Sequence, residues 1–228
     1  TLRAVGSAES PIIFAPSAGQ QWGGIHFLST SPDYSTEGGN FVNHAIIQNG
    51  RIGINNSGPR LANSHLVSTQ ISIDSKRPRA YIDHNILSGI DWNKYSYDSA
   101  GDNASLGTLE IRNNEFTRTI LIYGLGCSDT DVNIFRNTFN SVSKAIDLHE
   151  ACRNGNVIVS GNEFNGGGTG LDVSFGGINN LVVKHNTFSN ADMGIYLRTP
   201  NVSTLQISYN NFIANTIAVK LFYVPDTE

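Results

Sequence analysis

Apolar and polar positions recur in one arrangement along most of the chain. In six segments, two apolar residues stand five and three positions before an Asn, with a mostly polar residue between them, and a Leu or Phe follows two positions after it. This alternation with period two predicts strands with one buried face, because a helix would need apolar spacings of three and four. The segments are AYIDHNIL (80–87), LEIRNNEF (109–116), VNIFRNTF (132–139), VIVSGNEF (157–164), LVVKHNTF (181–188) and LQISYNNF (205–212).

Each segment is followed by a second short run with the same alternation. These runs are GIDW (89–92), TILIY (119–123), AIDLH (145–149), GLDVS (170–174), GIYLR (194–198) and AVKLF (218–222). The shared Asn recurs at steps of 29, 23, 25, 24 and 24 residues. Two strands and two bends in about 24 residues predict one coil of an all-β solenoid with parallel stacking. We predict a single domain over 1–228, with regular coils at 80–224 and less regular coils at 1–79.

The recurring Asn and Phe residues have a structural explanation. Stacked in register, each Asn amide is expected to donate to a carbonyl of one neighbouring coil and to accept from the other neighbour. The Phe rings are expected to stack inside the turn. We therefore assign no chemistry to either set.

The repeat resembles that of the right-handed parallel β-helix, the pectate-lyase-like superfold found in carbohydrate-binding proteins and sugar hydrolases. The resemblance covers residues 80–224 most clearly and implies a right-handed coil. It does not specify a function, because one fold supports many activities. The chain starts within a strand pattern and ends without a capping segment, so we expect a fragment of a larger protein or a piece that assembles end to end.

Composition limits the partners and the cellular location expected for such a fold. The 228 residues include 26 Asn and 23 Gly, both favoured at tight bends, and the net charge of −4 argues against a nucleic-acid partner. No apolar run reaches the roughly 18 residues of a membrane span. Cys127 and Cys152 lie one coil apart, within reach of a disulfide, although two free buried thiols are the alternative. A disulfide would indicate an extracellular or cell-surface location.

Outward side chains of the second runs form two columns, which are the candidate functional surface. We expect Asp147, His149, Asp172, Tyr196, Arg198 and Lys220 to form one patch over four coils, with Asp91, Tyr123 and Phe222 as further ligand contacts. Two carboxylates about 5 Å apart suit a glycosidase pair or a Ca²⁺ site. Cations suit a uronate, and aromatic rings suit a sugar face. The scattered histidines predict no zinc site, and Ca²⁺ is the only metal to consider.

The patch also resembles the polygalacturonase arrangement of paired Asp, a His and a basic pair. That resemblance implies Asp147 and Asp172 as the acids, His149 as the histidine and Arg198 as the substrate cation. The family's Asn-Thr-Asp, Asp-Asp, Gly-His-Gly and Arg-x-Lys motifs are missing, and the lyase pattern of Ca²⁺ ligands with a nearby base fits no better. Polar residues on an exposed strand are also often merely solvated, with little net energy from their ion pairs.

Two functions remain open. The first, which we favour, is a non-catalytic scaffold or adhesion module that contacts a glycan or another surface protein. The second is a polysaccharide-active enzyme, a hydrolase, lyase or epimerase, which would use Asp147, Asp172, His149 and Arg198. The enzyme hypothesis predicts a groove formed by the loops at 31–40 and 93–105.

Overall fold

The computed structural model describes most of the chain. The described residues are 1–18, 20, 22–28, 33, 35, 38–55, 57–74, 79–94, 107–124, 130–149, 155–174, 178–198 and 202–222. They contain 24 strands and no helix. None of the paired strands runs antiparallel in this part of the chain, as the pairings of the first and last coils illustrate.

The strands are short and follow one another closely along the chain. They are β1 (Arg3–Val5), β2 (Ile12–Phe14), β3 (Ile25–Phe27), β4 (Phe41–Asn43), β5 (Ala45–Gln48), β6 (Arg51–Asn55), β7 (Arg60–Ala62), β8 (His65–Val67), β9 (Gln70–Asp74), β10 (Tyr81–Asp83), β11 (Ile86–Leu87), β12 (Ile90–Lys94), β13 (Gly107–Arg112), β14 (Glu115–Phe116), β15 (Ile120–Gly124), β16 (Thr130–Phe135), β17 (Thr138–His149), β18 (Asn156–Ser160), β19 (Glu163–Ser174), β20 (Asn180–Lys184), β21 (Thr187–Arg198), β22 (Thr204–Ser208), β23 (Asn211–Ile213) and β24 (Ile217–Phe222).

The chain forms nine coils, and each coil contributes three strand segments. The first segments pair into a nine-stranded sheet, β1-β4-β7-β10-β13-β16-β18-β20-β22, called here the first face. The second face comprises β2, β5, β8, β11, β14, β23 and the N-terminal halves of β17, β19 and β21. The third face comprises β3, β6, β9, β12, β15, β24 and the C-terminal halves of the same three strands.

Two strands per coil were predicted, and three of the nine coils (β16–β17, β18–β19 and β20–β21) have two, whereas the other six have three. The chain bends at the shared Asn, so that β10 ends at Asp83 and β11 begins at Ile86. The residue directly before the Asn has a left-handed backbone, with φ of 53° at His84 and 56° at His185. One left-handed residue shifts the alternation of inward and outward side chains by one position, while the coils stay paired in parallel. The apolar pattern of the sequence alone does not reveal such a bend.

The predicted Asn ladder is confirmed, with one difference in direction. Asn137 Nδ2 donates to Ile111 O of the preceding coil at 2.9 Å, and also to Asn162 Oδ1 of the next coil at 3.0 Å. Its Oδ1 accepts from Asn114 N and Nδ2, both in the preceding coil, at 3.0 Å. The acceptor contact was expected on the opposite side from the carbonyl contact. The same bonds recur at Asn85, Asn114, Asn162 and Asn186.

The Phe ladder is also confirmed. The rings of five successive coils stack with centroid distances of 4.5–5.2 Å and planes within 11° of one another, and they are Phe116, Phe139, Phe164, Phe188 and Phe212. The first four are fully buried, and Phe212 packs against the core. Stacking and burial together make this column a major part of the core.

These features define an all-β protein built from stacked parallel strands, consistent with a parallel β-solenoid. The coils within residues 1–79 use the same three segments as those at 80–224, with strands of three to five residues. The described residues include no helix with the length and apolar character that crossing a membrane needs. Cys127 and Cys152 lie outside the described residues.

Candidate functional site on the third face

The register of the third face places the predicted columns as the sequence indicated. Asp147 pairs with Leu121 and Asp172, and Asp172 pairs in turn with Tyr196. Tyr196 pairs with Lys220 in the last coil. The second column runs through Tyr123, His149, Ser174, Arg198 and Phe222. Asp147, Asp172, Tyr196 and Lys220 are thus neighbours on successive coils.

Lys144 bridges the two carboxylates. Its Nζ lies 2.9 Å from Asp147 Oδ2 and 3.0 Å from Asp172 Oδ2. These two distances place the nearest carboxylate oxygens within about 6 Å of each other, compatible with the roughly 5–5.5 Å of a retaining glycosidase pair. The ammonium stands between the like charges and offsets their repulsion.

The protonation of Lys144 follows from this position. Burial lowers the pKa of the ammonium, but hydrogen bonds to Asp147 and Asp172 and the charges of both carboxylates outweigh burial. The pKa is therefore raised above its ordinary value. Lys144 is a permanent cation at neutral pH, in the place where a Ca²⁺ ion shared by two carboxylates would sit.

Arg198 donates hydrogen bonds to both carboxylate oxygens of Asp172. Its Nε donates to Asp172 Oδ1 at 3.2 Å, and its Nη2 donates to Oδ1 at 3.0 Å and to Oδ2 at 2.9 Å. The Asp172 side chain is only 4% exposed. Together with Lys144, these donors occupy both oxygens of the carboxylate, which is the geometry that makes Arg–carboxylate pairs strong and specific.

Tyr196 lies between two cations. The Arg198 guanidinium carbon and the Lys220 Nζ are each 5.1 Å from its ring centroid, within the range of a cation–π contact. The cluster of Lys144, Asp147, Asp172, Arg198 and Lys220 holds three cations and two carboxylates, a net charge of +1. An aromatic ring beside excess positive charge suits an anionic ring-shaped ligand.

His149 contacts Ser174 in the second column. The His149 Nδ1 and Ser174 Oγ are 2.6 Å apart, a distance that a serine nucleophile and its base would also show. Ser174 is fully buried, so its hydroxyl has no surface at which to meet a substrate. The contact orients the His149 ring, and a Ser–His hydrolase does not follow from it.

Three predicted ligand contacts stand apart from this cluster. Asp91 is separated from Asp147 by Leu121, which occupies the intervening coil of the same column. Phe222 is half exposed on β24 beside Arg198. The backbone of Tyr123 pairs with His149, but its side chain lies outside the described part of the chain. Most of the predicted loops at 31–40 and 93–105 likewise lie outside the described residues.

No metal site emerges from the described residues, which bring together no group of three or more His, Cys, Asp or Glu side chains able to hold an ion. Asp147 Oδ1 is buried and has no hydrogen-bond partner among the described residues, so it is not open to a ligand from solvent. A single buried oxygen beside an ammonium is a poor start for a cation site.

Sequence reasoning did not identify Lys144 as the partner of Asp147 and Asp172, or Ser174 as the partner of His149. The predicted third-face strand began at residue 145, whereas β17 runs without a break from Thr138 to His149 and carries Lys144 onto the same face. The signal was present, since a Lys stands three residues before Asp147.

No protein-family model, curated protein or solved structure matches the chain. The functional conclusion therefore depends on the geometry of the third face.

Proposed function

We propose that this chain is a non-catalytic binding module whose third face contacts an acidic glycan. It belongs to an extracellular or cell-surface protein, and its solenoid is a right-handed β-helix of the pectate-lyase-like type. The binding surface is the ring of Tyr196 with the adjoining cations Arg198 and Lys220. Glycan recognition by an aromatic face and by cations that meet uronate or sulfate groups is the chemistry that this surface offers.

The observation that carries the proposal is the bridging of the two candidate acids by Lys144. A general acid must hold a proton and reach its substrate. Asp172 has both oxygens engaged by Arg198 and Lys144 and is almost fully buried, so it has no free oxygen to present to a substrate. Tyr196 and Lys220 are more exposed than Asp172 and lie next to each other. The exposed residues of the third face are therefore suited to binding a ligand. The buried carboxylates contribute by holding the neighbouring cations in place.

The proposed right-handed coil is supported by a general rule of parallel sheets. A strand that returns to pair in parallel with an earlier strand of the same sheet makes a right-handed crossover in about 98% of cases, because twisted strands pack back onto the sheet only that way. Each coil here makes such a return, as from β10 to β13 on the first face.

One observation favours the enzyme alternative. The Asp147 side chain is 15% exposed, against 4% for Asp172, and its Oδ1 has no hydrogen-bond partner among the described residues, so Asp147 is the more open of the two carboxylates for proton transfer. In that case Asp147 would be the acid or base, with Arg198 as the substrate cation and His149 nearby. The binding assay therefore also measures cleavage.

The test is a panel of acidic and neutral polysaccharides, including polygalacturonate, alginate and dextran, scored for binding and for new reducing ends. We expect saturable binding of an acidic polymer, weakened by salt, with no cleavage. Tyr196→Ala and Lys220→Ala should each weaken binding by about five- to tenfold, in keeping with the loss of one stacking or charged contact. The matched control is Lys184→Ala, a lysine on the first face.

Each alternative has its own outcome in this panel. Cleavage that Asp147→Ala abolishes would establish the enzyme and refute the binding module. Equal weakening by Lys184→Ala and Lys220→Ala would show diffuse charge attraction and no site on the third face. Absence of binding to every acidic polymer would leave a structural scaffold.

A further inference from the structure

A pocket lies at the corner between the first and second faces in the first four coils, whereas the third-face cluster lies on the last four. The pocket has a volume of about 420 Å³ and is lined by His44, His65 and His84 together with Ile46 and Ile86. The volume falls within the range of small-molecule sites. These histidines are scattered in the sequence, and only the coil geometry brings them to one place.

Two neighbouring columns build this pocket. His44 and His84 occupy the left-handed corner position of their coils, with φ of 49° and 53°, and Asn63 occupies the same position in the coil between them. His65 lies one column further on, paired with Ile46 on one side and Ile86 on the other. The strand register sets the backbone position of each histidine.

The apolar part of the pocket is unusually exposed. Ile86 is 42% exposed, and Ile13, which pairs with Ile46 from the first coil, is 64% exposed. Exposing outward isoleucines to water on an otherwise polar corner is unfavourable, and an apolar ligand that covers them would remove this cost. An apolar body of modest size would cover Ile46 and Ile86 and lie against the imidazoles.

The charged neighbours of the histidines are few. Asp83 Oδ1 lies 3.8 Å from His84 Nδ1, but Arg60 and Arg112 already hold the other oxygen of Asp83 at 2.9 and 3.2 Å. Glu115 stands beside Ile86 in the next coil and accepts from Asn140. Histidine side chains gain charge between pH 8 and 5, and a charged imidazole has two N–H donors and no acceptor. A carboxylate is the partner that three such groups would share.

We propose that this pocket binds a small organic carboxylate with an apolar body, more tightly at acidic than at neutral pH. The apolar body lies on Ile46 and Ile86, and the carboxylate accepts hydrogen bonds from the imidazoles of His44, His65 and His84. The site is independent of the glycan-binding proposal, because it lies on other coils and another corner.

The test is a titration of the whole chain with benzoate, followed by NMR of the isoleucine methyl groups at pH 5.5 and 7.5. Benzoate stays ionised at both values, so a change in affinity reports on the protein. We expect saturable shifts at Ile46 and Ile86 and a dissociation constant at least about fivefold smaller at pH 5.5. Benzyl alcohol, which has the same apolar body and no charge, should bind weakly and equally at both values.

The matched variants are His44→Asn with His84→Asn, and His185→Asn as control. Asn63 shows that the corner accepts Asn, and His185 occupies the same corner position in a distant coil, stacked on Tyr209. The double variant, which keeps His65, should lose most of the pH dependence, and the control should keep it. His65→Gln, at an exposed strand position, tests the same point if the double variant does not fold. Absent or unsaturable shifts, equal affinity at both pH values, or an equal effect of His185→Asn would overturn the proposal.

Discussion

Asn137 offers the sharpest test of what holds the coils in register. Its side chain accepts hydrogen bonds from Asn114 N and Nδ2, and donates to Ile111 O and Asn162 Oδ1, all within 3.0 Å. The residue is fully buried, so water cannot replace these partners. Replacing it with Ala removes all four bonds at once.

The expected loss of stability follows from these contacts. A buried donor left unsatisfied costs about 1–3 kcal/mol, and this applies to the Asn114 backbone N–H. The other three bonds contribute about 0.5–1.5 kcal/mol each. We expect Asn137→Ala to lower the free energy of unfolding by about 2.5–7.5 kcal/mol, a large share of the roughly 5–15 kcal/mol of a typical domain.

The assay is urea unfolding followed by circular dichroism, with Asn133→Ala as the matched control. Asn133 lies in the same coil and is partly exposed on the outward side of β16. Its replacement should change stability by about 0.5 kcal/mol or less, as for most surface positions. If Asn137→Ala costs no more than Asn133→Ala, the ladder does not stabilise the coils and this reasoning is wrong.

Three further perturbations test the core and the ionic cluster. Phe164→Ala removes a buried ring stacked on Phe139 and Phe188, and should cost about 3–5 kcal/mol in urea unfolding. Gly170→Ala would place a Cβ 2.5 Å from the Phe188 ring, so overpacking should cost about 1–3 kcal/mol, and an unchanged unfolding midpoint would contradict the packing. The raised pKa of Lys144 adds stability that is fully present below about pH 10.5 and is lost as the pH rises through the higher folded-state value. The free energy of unfolding in urea should therefore fall more steeply between pH 9.5 and 11.5 in the wild type than in Lys144→Met, by about 1 kcal/mol or less because Lys144 is partly exposed.

The inner columns could be predicted from the sequence because every coil repeats the same requirement. The Asn at 114 and the Phe at 139 recur since each contacts the same residue type in the coils on both sides. The pairing of Asp147 with Asp172 on the third face follows from this same period. A position that must satisfy identical neighbours shows periodicity, and periodicity is visible in a single sequence.

The third strand segment and the corner pocket could not be predicted in the same way. The bend at the Asn depends on one left-handed residue, and His84, Asn113, Arg136 and His185 all fill that position. Side chains of such different chemistry give no sequence signal, although Asn and His tolerate this backbone better than most residues. Because the bend was missed, His65 was not recognised as the outward neighbour of His44 and His84.

The ionic cluster shows why function in this fold is harder to predict than structure. Asp172 and Arg198 are 26 residues apart, and Lys144 reaches Asp172 from 28 positions earlier, so no local motif links them. The spacing between coils also varies, yet Tyr81 pairs with Glu110 and Glu110 with Asn133 in unbroken register. Loop length can therefore change without disturbing the outward columns, because the buried ladders hold the register. The outward columns carry no such repeated requirement, and their chemistry depends on contacts between coils that only the paired strands define.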